Sequence, residues 1–539
     1  MITGISIENF KGIGERVDIE LRPITLLFGA NSAGKSTVLH ALQYAAHVLS
    51  GADMDVRSMG NGQGTADLGG FQNLVHNHDL NNEVKVGFRI GLKESDGPFQ
   101  LERENDLDGA TDSWDFFGIE ICIRWNRSQG KAYLRSYKLL QNSVPLMELS
   151  WQWGRPHCDL AINARHPRLH IKDGHTALDW EPVEGEDDRD NAWFDSFHEL
   201  LQYAKDNGLI SHVALPTEPW TDVLGVTGLS DALPDFDEVL SIYCDEDEDR
   251  PGIPYLGNAL RSYVSDLFLL PGKALRDELN SVRSLGPLRE TPPRHHSPSP
   301  QNQESRWASG LGAWDLLHAA DDPFVELTSD WLGGEDRLKS GYRLRVQRYK
   351  ELDLSDPLLL KLQTGRAFDD VEADTTLDLS RLPTHTRILI IPDGGKVELR
   401  PDDVGIGISQ VIPVIVTALD GKQRIASIEQ PELHLHPRVQ AELGDLFIES
   451  AFGDRQQTFI LETHSEHLIL RLLRRIRETT DGDLPSGKPP LKPDDIAVYY
   501  VQQRDDEGTE VRLLRIDDSG EFIDQWPDGF FEERAKELF

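Results

Sequence analysis

The stretch FGANSAGKSTVLHALQ, Phe28 to Gln43, restricts the fold more than any other part of this 539-residue chain. Its first half, Gly29-Ala30-Asn31-Ser32-Ala33-Gly34-Lys35-Ser36, satisfies the pattern G-x-x-x-x-G-K-[ST]. In such a loop glycines let the backbone wrap a phosphate, and successive N–H groups face the anion. The context is the required one. The apolar run ITLLF precedes the loop, and Val38, Leu39, Leu42, Ala45, Ala46 and Leu49 follow at helical spacing up to Gly51. A loop joining a buried strand to a helix predicts an α/β fold built on a parallel sheet. Gly29, Asn31, Ser32, Ala33, Gly34, Lys35, Ser36 and Thr37 are the expected nucleotide-binding residues. Lys35 should reach the β/γ-phosphates and Ser36 should ligate Mg²⁺.

Such a loop needs a second strand beside it that carries a carboxylate. The carboxyl-terminal third supplies one in RIASIEQPELHLHP, where Ile425, Ala426 and Ile428 run into Glu429. Around it, QVIPVIVTAL, PRVQAELGDLFIESA and EHLILRLLRRIRE read as helices and QTFILETHS as a buried strand. Upstream, ISIENF and VDIEL alternate as two paired strands. From about residue 82 to 179, EVKVGFRIGL, FFGIEICIRW, KAYLRSYKLL and MELSWQW predict an antiparallel lobe of hairpins. The expected division is 1–180 for the amino-terminal lobe, 181–340 for a mainly helical, acidic insertion with a Pro/Ser-rich loop at 292–305, 341–500 for the carboxyl-terminal lobe, and 501–539 for a terminal module. The middle carries many Pro and Gly and no sustained heptads, which excludes a long coiled-coil arm.

The net charge is −37, so the surface as a whole repels nucleic acid and acidic membranes; a DNA contact would need a local basic patch or a partner. Cys122, Cys158 and Cys244 are far apart and offer neither a disulfide framework nor a zinc site. The start, MITGISIENFKG, has no apolar signal core, and no run reaches membrane-spanning length, so a cytoplasmic protein without membrane partners is expected.

Four motifs in series, the glycine loop, VGIGISQ (Val404 to Gln410), IEQPELHLHP (Ile428 to Pro437) and ETHS (Glu462 to Ser465), resemble the ABC/SMC-like ATPases. The resemblance is to the AAA-family branch holding the overcoming-lysogenization-defect (OLD) family and the Septu-type PtuA ATPases. It covers roughly the first eighty and last hundred and forty residues, with SLGPLRETPPR as a further patch and the tail as an uncharacterised module found in that branch. It implies a split head, a parallel core sheet plus an antiparallel β lobe with a long insertion, closed as a head-to-tail dimer around ATP and Mg²⁺. Carried over, Glu429 is the Walker B acid that holds Mg²⁺, Gln430 stands where relatives place a catalytic glutamate, and His464 is the γ-phosphate switch. Gly405, Gly407, Ser409 and Gln410 form a degenerate signature loop that caps the nucleotide of the opposite subunit. Gln72 matches the Q-loop or is an exposed loop glutamine. Glutamine cannot act as a base but can orient a water; Glu432 is the alternative base. Slow hydrolysis is expected.

His434 and His436 read as structural residues in the stretch after Walker B, and RHHSP lacks companion ligands for a metal. The run Asp245 to Asp249 reads as a solvated face. Arg471, Arg474, Arg475 and Arg477 on one helix, and Arg283, Arg289 and Arg294 near the middle loop, either pair with carboxylates or form patches for DNA or a partner. No nuclease motif is present, and OLD nucleases continue into a Toprim domain for which about seventy-five residues after ETHS leave little room. The leading expectation is therefore a homodimeric (or higher even) ATPase that controls a separate nuclease effector in anti-phage defence or DNA repair. A transporter nucleotide-binding subunit would carry an L-S-G-G-Q-like signature, an acid at 430 and a short insertion; this chain carries none of them. An ATP-cemented scaffold that does not hydrolyse is the third reading.

Overall fold

In this computed structural model the described residues are 1–31, 33–56, 68–93, 114–166, 169, 197–206, 217–242, 254–294, 298, 304–353, 382–395, 397–504 and 508–526. Ser32, the acidic run at 245–249, most of the loop at 292–305, the expected boundary at 180 and the last thirteen residues of the terminal module lie outside them.

The first strand, β1 (Ile2–Glu8), pairs antiparallel with β2 (Val17–Glu20), and β3 (Ile24–Gly29) then enters the core. β4 (Val84–Lys93), β5 (Trp114–Asn126), β6 (Lys131–Gln141), β7 (Val144–Ser150), β8 (Cys158–Ile162), β9 (Asp222–Thr227) and β10 (Ser241–Ile242) extend from β1 as one nine-stranded antiparallel sheet in the order β10-β9-β8-β7-β6-β5-β4-β1-β2. The lobe therefore runs past residue 180, because β9 pairs with β8 and β10 with β9.

The central sheet is assembled from both ends of the chain. β11 (Arg283–Leu285), β14 (Ile425–Glu429), β15 (Thr458–Thr463), β3 and β16 (Ile496–Arg504) run parallel, and β17 (Gly508–Leu514) closes the edge antiparallel to β16. The boundary expected at 500 falls inside β16, and the segment expected to be mainly helical contributes β9, β10 and β11 besides α3 (Phe197–Asp206), α4 (Pro254–Asn280), α5 (Glu304–Ala308), α6 (Leu311–Ala319) and α7 (Asp322–Gly333). β12 (Tyr342–Lys350) and β13 (Thr384–Pro392) form a separate antiparallel pair.

Side chains alternate across each central strand, so both faces must be covered. Leu26, Phe28, Ala426, Ile428, Phe459, Leu461 and Val498 meet α8 (Ile406–Asp420), α9 (Pro437–Phe452) and α10 (Glu466–Asp481) on one face. Leu27, Ile425, Ile460, Ala497 and Tyr499 face α1 (Lys35–Leu49) and share one continuous core with the antiparallel lobe. The carboxyl ends of the parallel strands consequently open onto the start of α1, where a ligand of an open α/β sheet is bound.

Candidate nucleotide-binding site

The glycine loop is shaped from behind as well as for a ligand. Gly34 caps α1 in the left-handed region at φ 98°, and a Cβ there would lie 2.6 Å from Thr509 Oγ1. A Cβ on Gly29, at φ 154°, would lie 2.0 Å from the Val501 carbonyl oxygen. Both glycines thus admit the β16–β17 hairpin against the loop, and Thr509 donates its hydroxyl to the Ala33 carbonyl at 3.2 Å. Lys35 is buried and folds back, donating to the carbonyls of Gly29 (3.3 Å) and Ala30 (2.8 Å). Burial lowers its pKa, opposed by the Glu462 and Glu432 carboxylates. Thr37 is buried in the first turn, and Asn31 is exposed at the loop tip.

The strand beside the P-loop strand is β15, not β14 as the sequence suggested; β14 lies one strand further out. The carboxylate that touches Ser36 is therefore Glu462, which accepts from Ser36 Oγ at 2.7 Å and lies 3.9 Å from Lys35 Nζ. Glu429 and Glu462 are paired register positions on adjacent parallel strands and project to the α1 face. Burial pushes the Glu429 carboxyl up to about 7; Glu462 adds to the rise, and Arg289 and Lys11 pull it back. Lys11, in the turn after β1, donates to His40 Nδ1 at 2.8 Å, and burial lowers it to about 8 against the pull of Glu429. Burial, reinforced by Lys11, lowers His40 to about 4, so its ring is neutral.

Gln430 follows Glu429 with a left-handed backbone at φ 43°. Its N–H donates to the Glu462 carbonyl at 2.7 Å. Arg289 Nη2 donates to the carbonyls of Glu429 (2.5 Å) and Gln430 (3.0 Å). Glu432 has turned inward: one carboxylate oxygen accepts from Thr463 Oγ1 at 2.9 Å and the other from the His464 N–H at 2.7 Å. Burial raises its pKa. Its position makes it the brace of the His464 loop. His464 is lowered by burial and by Lys35, and its Nε2 is buried without a hydrogen-bond partner among the described residues.

The signature-like loop is divided. Gly405 begins α8 without a side-chain cap, and Ile406 is 58% exposed. Gly407 lies against the His434 carbonyl, 2.7 Å from where its Cβ would be. Ser409 is buried and spends its hydroxyl on the Ile406 carbonyl at 3.0 Å, so it is not presented outward. Gln410 is buried with its amide on the backbone of Arg289. Gln72 is exposed on α2 (Phe71–Leu74), and the Leu74 carbonyl of that turn accepts from the Lys11 N–H at 2.6 Å.

The arginine patches do not present free cations. Arg471 pairs with Glu442 (2.9 Å) and Asp445 (2.6 Å), and Arg475 pairs with Asp445 (2.7 Å) and Glu478 (2.5 Å). Arg474 pairs with Glu478 at 2.7 Å, and Arg477 lies 3.9 Å from Glu521. Arg283 lies 3.5 Å from Asp420 with Trp307 beneath it, and Arg294 meets Asp402 (3.0 Å) and Asp403 (3.1 Å). Of the two readings of these arginines, the described side chains show the pairing with carboxylates. His436 caps α9, and no group of three or more His, Cys, Asp or Glu side chains fit for a metal occurs among the described residues.

Three site residues had no role assigned from the sequence. Glu462 lay in ETHS beside the histidine that drew attention, and only its register with Glu429 reveals it. Lys11 is a single cation in a turn, and its partners are remote in sequence. Arg289 was grouped with Arg283 and Arg294, yet it alone enters the site.

Known families match the two halves separately. A family described as AAA domain matches residues 5–143, which carry the glycine loop, and one described as AAA ATPase domain matches residues 348–469, which carry Gly405 to Gln410, Glu429 and His464. The chain is an ATPase. Residues 491–539 match a family described as protein of unknown function (DUF3696). No curated protein matches the chain. Among solved structures, it is similar to the SmcHead bound to the C-winged helix domain of ScpA, at 11% identity and TM-score 0.39 over 95% of this chain and 97% of that one. It is similar to the Smc head domain with an extended coiled coil bound to the C-terminal domain of ScpA from Pyrococcus furiosus, at 12% identity and TM-score 0.36 over 100% and 98%. The SMC head domain from Thermotoga maritima is similar at 9% identity and TM-score 0.34 over 96% and 99%. No helix among the described residues is long and apolar enough to cross a membrane.

Proposed function

We propose that this ATPase is a slow, nucleotide-gated switch of the OLD/PtuA branch. Mg-ATP closes two copies head to tail, and a separate nuclease subunit reads the closed state, in anti-phage defence or DNA repair. The observation that carries the slow step is at the end of β14. The residue after Glu429 is an amide, and the nearby carboxylate, Glu432, has both oxygens engaged by Thr463 and His464. Gln430 can orient a water but cannot take its proton.

The donor set fits Mg²⁺. Ser36 Oγ, Glu462 and Glu429 offer hard oxygen donors on one face, and a cation there would offset the burial, and secondarily the Glu462 charge, that raise the Glu429 carboxyl. Bound Mg²⁺ would neutralise charge on the β- and γ-phosphates. Lys35 would exchange the carbonyls of Gly29 and Ala30 for phosphate oxygens, and His464, whose ring feels the Lys35 charge, would meet the γ-phosphate. Hydrolysis gives ADP and phosphate. The uncapped, exposed start of α8 at Gly405–Gly407 suits a phosphate presented by a second subunit, since a helix amino terminus favours an anion.

Sedimentation velocity tests the gate. The wild type should shift to dimer mass on adding Mg-ATP, and Lys35→Ala should not. A wild type that stays monomeric with saturating Mg-ATP contradicts it. The control role predicts a nuclease gene beside this one; a membrane permease there would overturn it.

A further inference from the structure

Arg289 is 4% exposed, yet Nε and Nη1 meet no hydrogen-bond acceptor among the described residues. Only Nη2 is used, and it binds two main-chain carbonyls rather than a carboxylate. A buried guanidinium so incompletely satisfied is weak as a stabilising device. Its surroundings hold it nonetheless. Gly310, at φ 81°, lies close enough that a Cβ would stand 3.0 Å from Arg289 Cβ, and the Glu290 N–H donates to the Ser309 carbonyl at 2.7 Å. The Arg289 N–H donates to Gln410 Oε1 at 3.0 Å, and Gln410 Nε2 donates back to the Arg289 carbonyl.

We propose that Arg289 is a positioning residue for hydrolysis. Its guanidinium sets the Glu429–Gln430 peptide, and Gln410 couples that setting to the exposed start of α8. The left-handed backbone of Gln430 is sparsely populated for a residue with a side chain, so its neighbours must over-determine it. Three hydrogen bonds do so: its N–H to the Glu462 carbonyl, and its carbonyl from the Leu433 N–H of the local turn (3.1 Å) and, from outside the turn, from Arg289 Nη2. Gln410 is one turn into α8 from Ile406, so a displacement of the helix start shifts the backbone that carries Arg289, and with it the amide of Gln430. The site is thereby informed in cis of whether the α8 start is engaged.

The proposal rests on Gln430 as the water-orienting residue, and Gln430→Ala alone tests that premise. The coupling is tested with the full chain by measuring kcat, affinity for a fluorescent non-hydrolysable ATP analogue, and melting temperature in Gln410→Ala, Arg289→Lys and the double variant. Gln410→Ala should lower kcat by about three- to tenfold, and Arg289→Lys by more than about tenfold, with affinity unchanged within about twofold. The double variant should fall no further than Arg289→Lys, because both act on one path. Proportional losses of kcat and affinity, or multiplying effects, would overturn it. Should Arg289→Lys fail to fold, an unchanged kcat in Gln410→Ala overturns it alone. If Gln430→Ala leaves kcat intact, the premise fails; if Gln430→Ala lowers kcat and Arg289→Lys does not, the clamp fails.

Discussion

Burial makes the Glu429 carboxyl resist ionisation. The unfolded chain ionises this carboxyl near 4.5, and the folded protein does so near 7. Between those values the folded state holds an extra proton, so stability falls as pH rises from 4.5 to 7 and stays lower above that. In metal-free protein, Glu429→Gln should match the wild type at pH 4 and exceed it by roughly 2–4 kcal/mol at pH 8, read from denaturant unfolding at both pH values. A variant no more stable at pH 8 would show that burial and the Glu462 charge do not penalise the ionised Glu429. Glu462 makes the complementary case. Because it touches Ser36, Glu462→Gln should cut Mg²⁺-dependent turnover by about tenfold or more, or at least 1.4 kcal/mol in the barrier, and raise the Mg²⁺ concentration for half-maximal rate. An unchanged Mg²⁺ dependence would leave Glu429 as the sole acid.

The α9–α10 pair is pinned by Asp445, 2% exposed, between Arg471 and Arg475. Asp445→Ala should cost about 1–3 kcal/mol, because it removes the carboxylate that Arg471 and Arg475 share and leaves each with one partner, Glu442 and Glu478. The β16–β17 hairpin acts on the loop itself. Thr509→Val keeps the shape and removes the hydroxyl from Ala33, so nucleotide affinity should fall about three- to tenfold by titration, while Thr509→Ser should restore it. Elements with strong local periodicity were legible: α1, α8, α9 and α10 and the strands β3, β14 and β15 stand where apolar spacing put them. Strand order was not. Which strands pair is fixed by contacts hundreds of residues apart, so β16 beside β3, β11 beside β14 and β15 between β3 and β14 left no local trace. The same limit hid the site: Lys35 and Ser36 are declared by their loop, whereas Glu462, Lys11 and Arg289 acquire their roles only by register and packing. Inward turning of Glu432 depends likewise on remote partners, Thr463 and His464.

At the scale of the whole molecule, the glycine loop and the Glu429–His464 segment come from opposite ends of the chain and meet in one six-stranded sheet. With a net charge of −37, a nucleic-acid contact would need a local basic patch or a partner. In the proposed switch, Gln430 stands in place of a base, so Mg-ATP would be held firmly and cut slowly. Steady-state turnover at saturating Mg-ATP tests it most directly. A slow switch gives a wild-type rate well below about one per second, falling by about tenfold or more in Gln430→Ala; a rate near about ten per second that Gln430→Ala leaves unaffected would contradict it.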